Sequence, residues 1–530
     1  MKKLYVSLLF LSSIMLAGLN AQTRYLQQVF DDSQISSKYN EVYGFNTTVL
    51  AYPTLIKQPL IMDVYQPASD TETHRPVVLY LHTGNFLPFL NPSDGTPGFN
   101  GACGGTTRDS SAVEACRRLA KMGYVALSVD YRLGWNPLAA SDVDRRYGII
   151  NAAYRGIQDV RSCIRFLKQS VAIGGNPYNI DTTKIVVWGQ GTGGYLSLNS
   201  VFLDNYAKVP LSTGGKFLWD HDQNTSTPPI PMIIEQVNGN INGTSVGINP
   251  LTGDTLSRIN TPGYSSNFQL AVNMAGACAD SAWIDPGQTP ILSFHVPYDQ
   301  YAPYAEGIVN VPGTNLQVVQ VQGSYVIQQM MEAQGNNNVF IGKPISDLET
   351  QRLAAFANTP MVGGNNWSDP TPGLYPLVQP FISLGGNQVP ATTAPWEWSA
   401  PVPSNPTCST NKQAALLYWD TIMRFYAPRA CFALGLQKCV DQVLSAKEPL
   451  AHDINVLAAP NPATDEIRFS SEKEDILAIQ IYDRTGRLVG HIPEVNNTSY
   501  TLQRSGLNAG LYVVKLSFKT GFVTKLVTFE

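Results

Sequence analysis

The feature that most constrains this chain is its alternation of unbroken apolar runs with segments of helical period. Pro76-Val77-Val78-Leu79-Tyr80-Leu81, Tyr124-Val125-Ala126-Leu127-Ser128-Val129 and Ile185-Val186-Val187-Trp188 show no polar face, as expected of strands buried on both sides. Between them, Ala112, Ala115, Cys116 and Leu119 share one helical face. Ile150, Ala153, Tyr154, Ile157, Val160, Ile164 and Leu167 then keep helical spacing over about five turns. Strand, helix, strand in this order predicts an α/β architecture, a mostly parallel sheet flanked by helices. Further strands are expected at Leu270 to Met274, Ile291 to Phe294 and Leu316 to Val321, and a helix over Ala414 to Phe425.

Composition narrows the class. With 530 residues, 44% hydrophobic and only 14% charged, the chain has material for two or three domains and is too apolar to be disordered. The net charge of −4 and the lack of a basic stripe exclude a nucleic-acid partner. Lys2 and Lys3 precede an apolar run from Leu4 to Leu19 and a small residue at Ala21. Residues 1–21 therefore read as a secretory signal peptide. Seven cysteines permit disulfides in an exported protein, with Cys431–Cys439 and Cys103–Cys116 the close pairs. Cys163 and Cys278 read as buried small hydrophobes. No spacing fits a metal site, and no cofactor is implied.

Residues 22–450 form the α/β region, interrupted by Gly-, Pro- and Asn-rich insertions near 212–267 and 358–410, the second carrying Trp367, Trp396 and Trp398. These are expected over the C-terminal edge of the sheet, where ligands bind in such folds. Past Ala451 the strands become short and alternating, as in Glu466-Ile467-Arg468-Phe469 and Ile479-Gln480-Ile481-Tyr482. Residues 454–530 thus read as a small all-β sandwich.

Trp188-Gly189-Gln190-Gly191-Thr192-Gly193-Gly194-Tyr195 follows a buried strand and opens a helix, the context a nucleophile elbow requires. His82-Thr83-Gly84-Asn85-Phe86 follows the first long strand, in the place of an oxyanion loop. Asp299 follows the strand at Ile291 to Phe294, where a triad acid would stand. With Leu60 to Pro67, Asp130-Tyr131-Arg132-Leu133 and Tyr154 to Arg161, these motifs resemble the α/β-hydrolase superfamily in its secreted carboxylesterase-like branch, over most of residues 40–440. The resemblance implies oxyanion-hole positions at Gly84, Asn85 and Thr192 and an acid at Asp299.

The nucleophile position, however, is Gly191, and a glycine cannot form an acyl-enzyme. The segment Phe340-Ile341-Gly342-Lys343-Pro344 stands about where related esterases carry their histidine, and it has none. After Asp299 only His452 and His491 remain. Thr192 lies one residue past the apex, His82 and His295 read as packed residues, and His221 as a loop residue. No intact catalytic set is expected.

Ala459-Pro460-Asn461-Pro462-Ala463, Tyr482 to Val489, Leu507 to Leu516 and Gly521 to Val527 resemble the sorting domain of type IX secretion substrates of Gram-negative bacteria, an immunoglobulin-like sandwich. The resemblance implies that residues 454–530 engage the type IX machinery. It also implies delivery outside the cell or to its surface, with possible attachment to lipopolysaccharide after processing. Two functions stay open: a catalytically degenerate binding or structural protein with an unknown ligand, or an extracellular esterase of acylated carbohydrate or polyester using non-standard residues.

Overall fold

The structure, a computed structural model, describes residues 23–51, 54–87, 105–220, 226–299, 301–311, 314–343, 345, 347, 349–351, 353, 371–377, 394–398, 411–445, 456–483, 488–518 and 522–530. The chain divides into two compact units, Met1–Ile341 with Ala355–Cys439, and Gly342–Ala354 with Val440–Glu530.

The larger unit is built from β1 (Ile35–Thr48), β2 (Ile56–Pro67), β3 (Arg75–Leu81), α1 (Ser110–Lys121), β4 (Val125–Val129), α2 (Asp142–Ala172), β5 (Ile180–Gln190), α3 (Thr192–Phe202), β6 (Leu270–Met274), β7 (Ile291–His295), β8 (Glu306–Asn310), β9 (Gln317–Gln322), α4 (Ser324–Ala333), β10 (Leu374–Pro376) and α5 (Lys412–Ala433). One sheet has the order β1-β2-β4-β3-β5-β6-β7-β10. The β1/β2 and β2/β4 pairs are antiparallel and all other neighbours are parallel. The three apolar runs lie in its central strands and are themselves buried throughout, although β5 is partly exposed before Ile185.

From β3 the chain crosses to β4 on one side, and β5 then lies on the other. The loops leaving β3 and β5 therefore meet at the point where strand order reverses, the usual ligand position in such sheets.

Trp188 anchors one face of the sheet, fully buried, with ring centroids 4.7 Å from Tyr426 and 6.3 Å from Phe294. The other face packs Leu79, Val187 and Ala271 against Ile157, Val160 and Leu196. Helix α2 starts where Ser141 accepts from the Asp144 N–H, with Asp142 and Asp144 in its first turn, so cap and macrodipole agree.

Three sequence expectations are corrected. The Leu316 to Val321 run forms β9, but it pairs with β8 in a separate two-stranded sheet, its end bridged to Cys278 through Gln322. Residues Leu374–Pro376, inside the second insertion, form the edge strand β10, and Trp396 is fully buried; Trp367 lies outside the described residues. In its described residues (212–220 and 226–267) the first insertion does not cap the C-terminal edge of the sheet. It runs along α2, whose Asn151, Tyr154, Gln158 and Arg165 donate to carbonyls of Met232, Gly239, Asn240 and Asn260. A long segment with only short strands and helical turns leaves many carbonyls unpaired, and a polar helix flank supplies the donors. Burial lowers Arg161 and Arg165 to a pKa of about 10.

Cys431 and Cys439 are bonded. Cys116, Cys163 and Cys278 are buried free thiols, so the Cys103–Cys116 alternative is not realised; Cys103 lies outside the described residues.

In the smaller unit, β11 (Val456–Ala459), β12 (Glu466–Ser471) and β15 (Ser499–Gln503) form one sheet. A second consists of β13 (Ala478–Asp483), β14 (Leu488–Ile492), β16 (Gly510–Ser517) and β17 (Phe522–Phe529). All pairs are antiparallel. The alternation seen in sequence places Ile467, Phe469, Ile479, Val514, Leu516 and Val527 in its core.

One buried ion pair fixes the turn after β4. The Arg132 N–H and Nε donate to Asp159 on α2 at 2.9 and 2.8 Å, and both side chains are inaccessible. Desolvation holds the Asp159 pKa above the usual carboxylate value although Arg132 opposes the shift. Arg132→Met strands a buried charge and is expected to cost about 3–5 kcal/mol in urea denaturation. Arg132→Met/Asp159→Leu is expected to recover most of that loss.

Candidate active site

The elbow is a backbone-to-backbone contact. A Cβ on Gly189 would overlap the Gly193 carbonyl, and one on Gly194 would lie 2.6 Å from Asn273 Oδ1. These glycines let β5 turn directly into α3. At the apex Gly191 has φ 54° and ψ −116°, a strained region for an L-residue that glycine enters at little cost.

The loop after β3 faces it. Gly84, Asn85 and Phe86 have φ of 123°, 58° and 55°, three consecutive left-handed residues. Phe86 O accepts from the Gly134 N–H at 2.7 Å, and Asn85 O accepts from Trp135 Nε1 at 2.8 Å. Among the described residues, the N–H groups of Gly84 and Asn85 donate to no acceptor. Two of the three residues read as oxyanion positions thus present free donors on a loop fixed by its carbonyls.

The third, Thr192, is different. Its N–H points at Thr83 Oγ1, 3.3 Å away. The same Thr83 side chain occupies the space a nucleophile would need. A Cβ on Gly191 would stand 2.8 Å from Thr83 Cβ and nearer still to its hydroxyl. The side chain of Thr192 turns aside, with Oγ1 3.2 Å from the Tyr131 hydroxyl, which in turn donates to His82 O at 2.7 Å. Burial pushes the Tyr131 phenol well up, so it stays protonated.

The histidines within the described residues are engaged elsewhere or remote. His82 stacks on Tyr131 with centroids 4.6 Å apart. Its Nδ1 lies 2.6 Å from Thr83 O and its Nε2 3.3 Å from Asp130 Oδ1. His295 is wholly buried, with Nδ1 2.7 Å from Ser324 Oγ and Nε2 3.1 Å from Ala302 O. His491 lies on β14 opposite Gln480. His221 and His452 lie outside the described residues, as does Pro344.

Asp299 is held by its own loop. Its Oδ1 accepts from the Tyr301 and Ala302 N–H groups at 2.7 and 2.9 Å, and Oδ2 lies 3.6 Å from His295 Nε2. Tyr195, on the first turn of α3, feels the charge of Asp299 and has its phenol pKa raised, chiefly by burial. Its buried hydroxyl has no partner among the described residues. Among the described residues no cluster of histidine, cysteine and carboxylate side chains could hold a metal ion.

The sequence reading placed the elbow, the loop after β3 and Asp299, and the fold brings the first two together. Thr83 is not among the site residues expected from sequence, although it stands between His82 and Gly84 in the loop after β3. The signal was a side chain on a loop whose backbone must approach the elbow apex.

The parallel sheet, its order reversal and the elbow define an esterase-like α/β-hydrolase. Residues 62–309 match the BD-FAE family, and residues 458–529 match the secretion system C-terminal sorting domain family. The chain therefore carries an esterase-like domain of the BD-FAE family followed by a type IX secretion sorting domain, which directs it to the cell surface or the extracellular space. No curated protein matched the chain. Among solved structures it is similar to Thermogutta terrifontis esterase 2 phosphoramylated by tabun, at 15% identity over 58% of this chain and 81% of that one, TM-score 0.30. The same esterase phosphorylated by paraoxon gives 15%, 58%, 80% and 0.29. The native form of the thermophilic esterase from that planctomycete gives 16%, 60%, 81% and 0.28.

The Thr83–Gly191 contact is testable by a double-mutant cycle. Gly191→Ser is expected to lose about 2–4 kcal/mol in thermal or urea denaturation, from backbone strain together with overpacking. Thr83→Gly opens the space. The loss in the double variant is expected to fall short of the sum of the two single-variant losses by about 1–3 kcal/mol. Additive losses would mean that the contact carries no energy.

Proposed function

We propose that this protein is a catalytically degenerate α/β-hydrolase that works outside the cell as a binding protein. The observation that carries this reading is the Thr83 side chain, packed where a nucleophile on residue 191 would stand and bonded to the Thr192 N–H. Acyl transfer needs a nucleophile, a base to take its proton and open oxyanion donors. Here the first is absent at Gly191, the third is partly self-occupied, and His82 and His295 have both ring nitrogens committed. Asp299 remains as an acid whose histidine neighbour among the described residues, His295 at 3.6 Å, is wholly buried and bonded to Ser324 and Ala302. In this reading Gly84 and Asn85 keep an oxyanion loop that no reaction uses.

A second reading, an esterase of acylated carbohydrate or polyester with non-standard residues, draws on those same free Gly84 and Asn85 donors. It would need Thr83 or Thr192 as nucleophile, and an unactivated hydroxyl is a poor one near neutral pH.

The protein lacking residues 1–21 is expected to hydrolyse short-chain p-nitrophenyl esters no faster than buffer. Turnover that survives purification and disappears in Thr83→Ala or Thr192→Ala would establish the second reading instead. The sorting domain is expected to be the only address beyond the periplasm, so truncation near Leu450 should leave the hydrolase domain there on cell fractionation. Surface delivery of the truncated chain would contradict that assignment.

A further inference from the structure

Helix α2 carries a buried charge that its surroundings answer with neutral oxygens. Arg161 is 5% exposed. Its Nη2 donates to Ser200 O and Leu203 O at 3.1 and 2.8 Å, and its Nη1 donates to Asn242 Oδ1, in the first insertion, at 3.1 Å. Among the described residues no carboxylate pairs with it. Burial lowers its pKa to about 10, with the charge of Asp204 acting in opposition. A guanidinium offers donors only, so the Asn242 atom that meets it is the amide oxygen.

Asn242 is exposed and is followed by Gly243, whose φ is 63°. With no side chain to shield it, a glycine nitrogen is the one best able to attack the side-chain carbonyl before it. Here that nitrogen is tied by one bond, from the Gly243 N–H to Asn240 O at 2.8 Å. A cation on Oδ1 draws electrons from Cγ and stabilises the oxyanion formed there. The same cation gains an ion pair when the amide becomes a carboxylate.

We propose that Asn242 is a self-modification site, at which Arg161 promotes deamidation to aspartate without an enzyme. The Gly243 nitrogen bonds to Cγ, the Cγ–Nδ2 bond breaks, and ammonia leaves with the Gly243 proton, giving a succinimide. Water then adds at Cγ, the ring carbonyl that Arg161 polarises. The bond to the Gly243 nitrogen breaks and that nitrogen regains a proton. The acid so formed ionises, and ammonia takes its proton. Water adding to the other ring carbonyl would give isoaspartate, the main product in unfolded peptides. Outside the cell the change accumulates, and it fastens the insertion to α2 by an ion pair. It does not depend on whether the elbow is closed.

Asn238-Gly239, in the same insertion, is the control. Gly239 also has a positive φ, 74°. Asn238 Oδ1, however, accepts from the Ile234 N–H at 2.9 Å and Nδ2 donates to Asn151 Oδ1 at 2.7 Å, with no cation on the carbonyl. The protein lacking residues 1–21 would be aged in mildly alkaline buffer, folded or in urea, and mapped by peptide mass spectrometry that separates aspartate from isoaspartate. In the folded protein Asn242 is expected to convert at least about tenfold faster than Asn238, mainly to aspartate. In urea the two rates should converge and isoaspartate should prevail. Asn242 converting no faster than Asn238, or mainly to isoaspartate, in the folded protein would overturn the proposal.

Arg161→Met is expected to slow Asn242 about tenfold and to leave Asn238 unchanged; an unchanged Asn242 rate would remove Arg161 from the reaction and overturn the proposal. Because that variant loses a buried side chain and can unfold, Asn242→Asp tests the product directly. It is expected to raise Tm by about 1–3 °C at neutral pH, a gain lost as pH falls and the new carboxylate is protonated. A Tm at or below that of the wild type at neutral pH would contradict the ion pair and the proposal with it.

Discussion

Everything at the reversal point of the sheet depends on the close approach of α3 to β3 and β5. The Cβ that Gly193 lacks would strike the Leu81 and His82 carbonyls, and the one Gly276 lacks would crowd Gly194 and Tyr195. Backbone therefore touches backbone across three strands, and no side chain can act as spacer. This contact fixes the start of α3 within a few tenths of an ångström. It also fixes the direction of the Thr192 N–H and the distance to the loop after β3. A chain could lose its chemistry and keep this geometry, because the geometry is held by absent side chains rather than by catalytic ones.

That tightness makes the pairing of Thr83 with Gly191 a mutual exclusion rather than a coincidence of neighbours. With any β-carbon at 191, Thr83 must leave its present position and give up the Thr192 N–H; with Thr83 in place, only glycine fits. A glycine there with nothing opposite would leave a small polar void beside a helix N-terminus, where an unsatisfied N–H is costly. Thr83 fills the void with a methyl and hydroxyl and supplies the acceptor. The closed elbow is thus packed and hydrogen-bonded like ordinary protein interior, which a simple deletion of the nucleophile would not be.

What was legible in the sequence follows from period and steric demand. The central strands announced themselves because burial on both faces leaves no polar residue, and α2 because its apolar positions recur at helical spacing. The elbow was legible because only a glycine-rich turn after a strand can make it. The β-sandwich showed in its alternation. Less legible were elements whose cause lies far along the chain. β10 is three residues whose partner, β7, precedes it by about eighty positions, and nothing local marks it as strand. The course of the first insertion depends on Asn151, Tyr154, Gln158 and Arg165, polar residues interleaved with apolar ones on α2; their carbonyl partners lie 81 to 95 residues away. Thr83 belongs to the same class, since its meaning is set by a missing atom at residue 191.

The polar residues buried around the elbow form a connected network. Ser111, near the start of α1, donates through its N–H to Glu397, which is wholly buried. Tyr80 reaches Gln190, the residue before the apex, at 2.6 Å, and the Ser111 hydroxyl contacts both Gln190 Oε1 and Glu397 Oε2. One hydroxyl proton cannot serve two acceptors. With the Gln190 amide turned to place nitrogen toward Tyr80 and Ser111, the Ser111 proton is free for Glu397 and each contact has a donor. Such a network is costly when half satisfied, and it ties the elbow to α1 and to the segment carrying Trp396. The side of the elbow facing the protein is therefore tied together through Ser111, Gln190 and Glu397, while among the described residues the side facing solvent keeps free donors at Gly84 and Asn85 and a free acceptor at Asp130 Oδ2. In the proposed binding reading, the site's groups need only be held still and left unpaired, whereas catalysis would call for a strained and reactive apex.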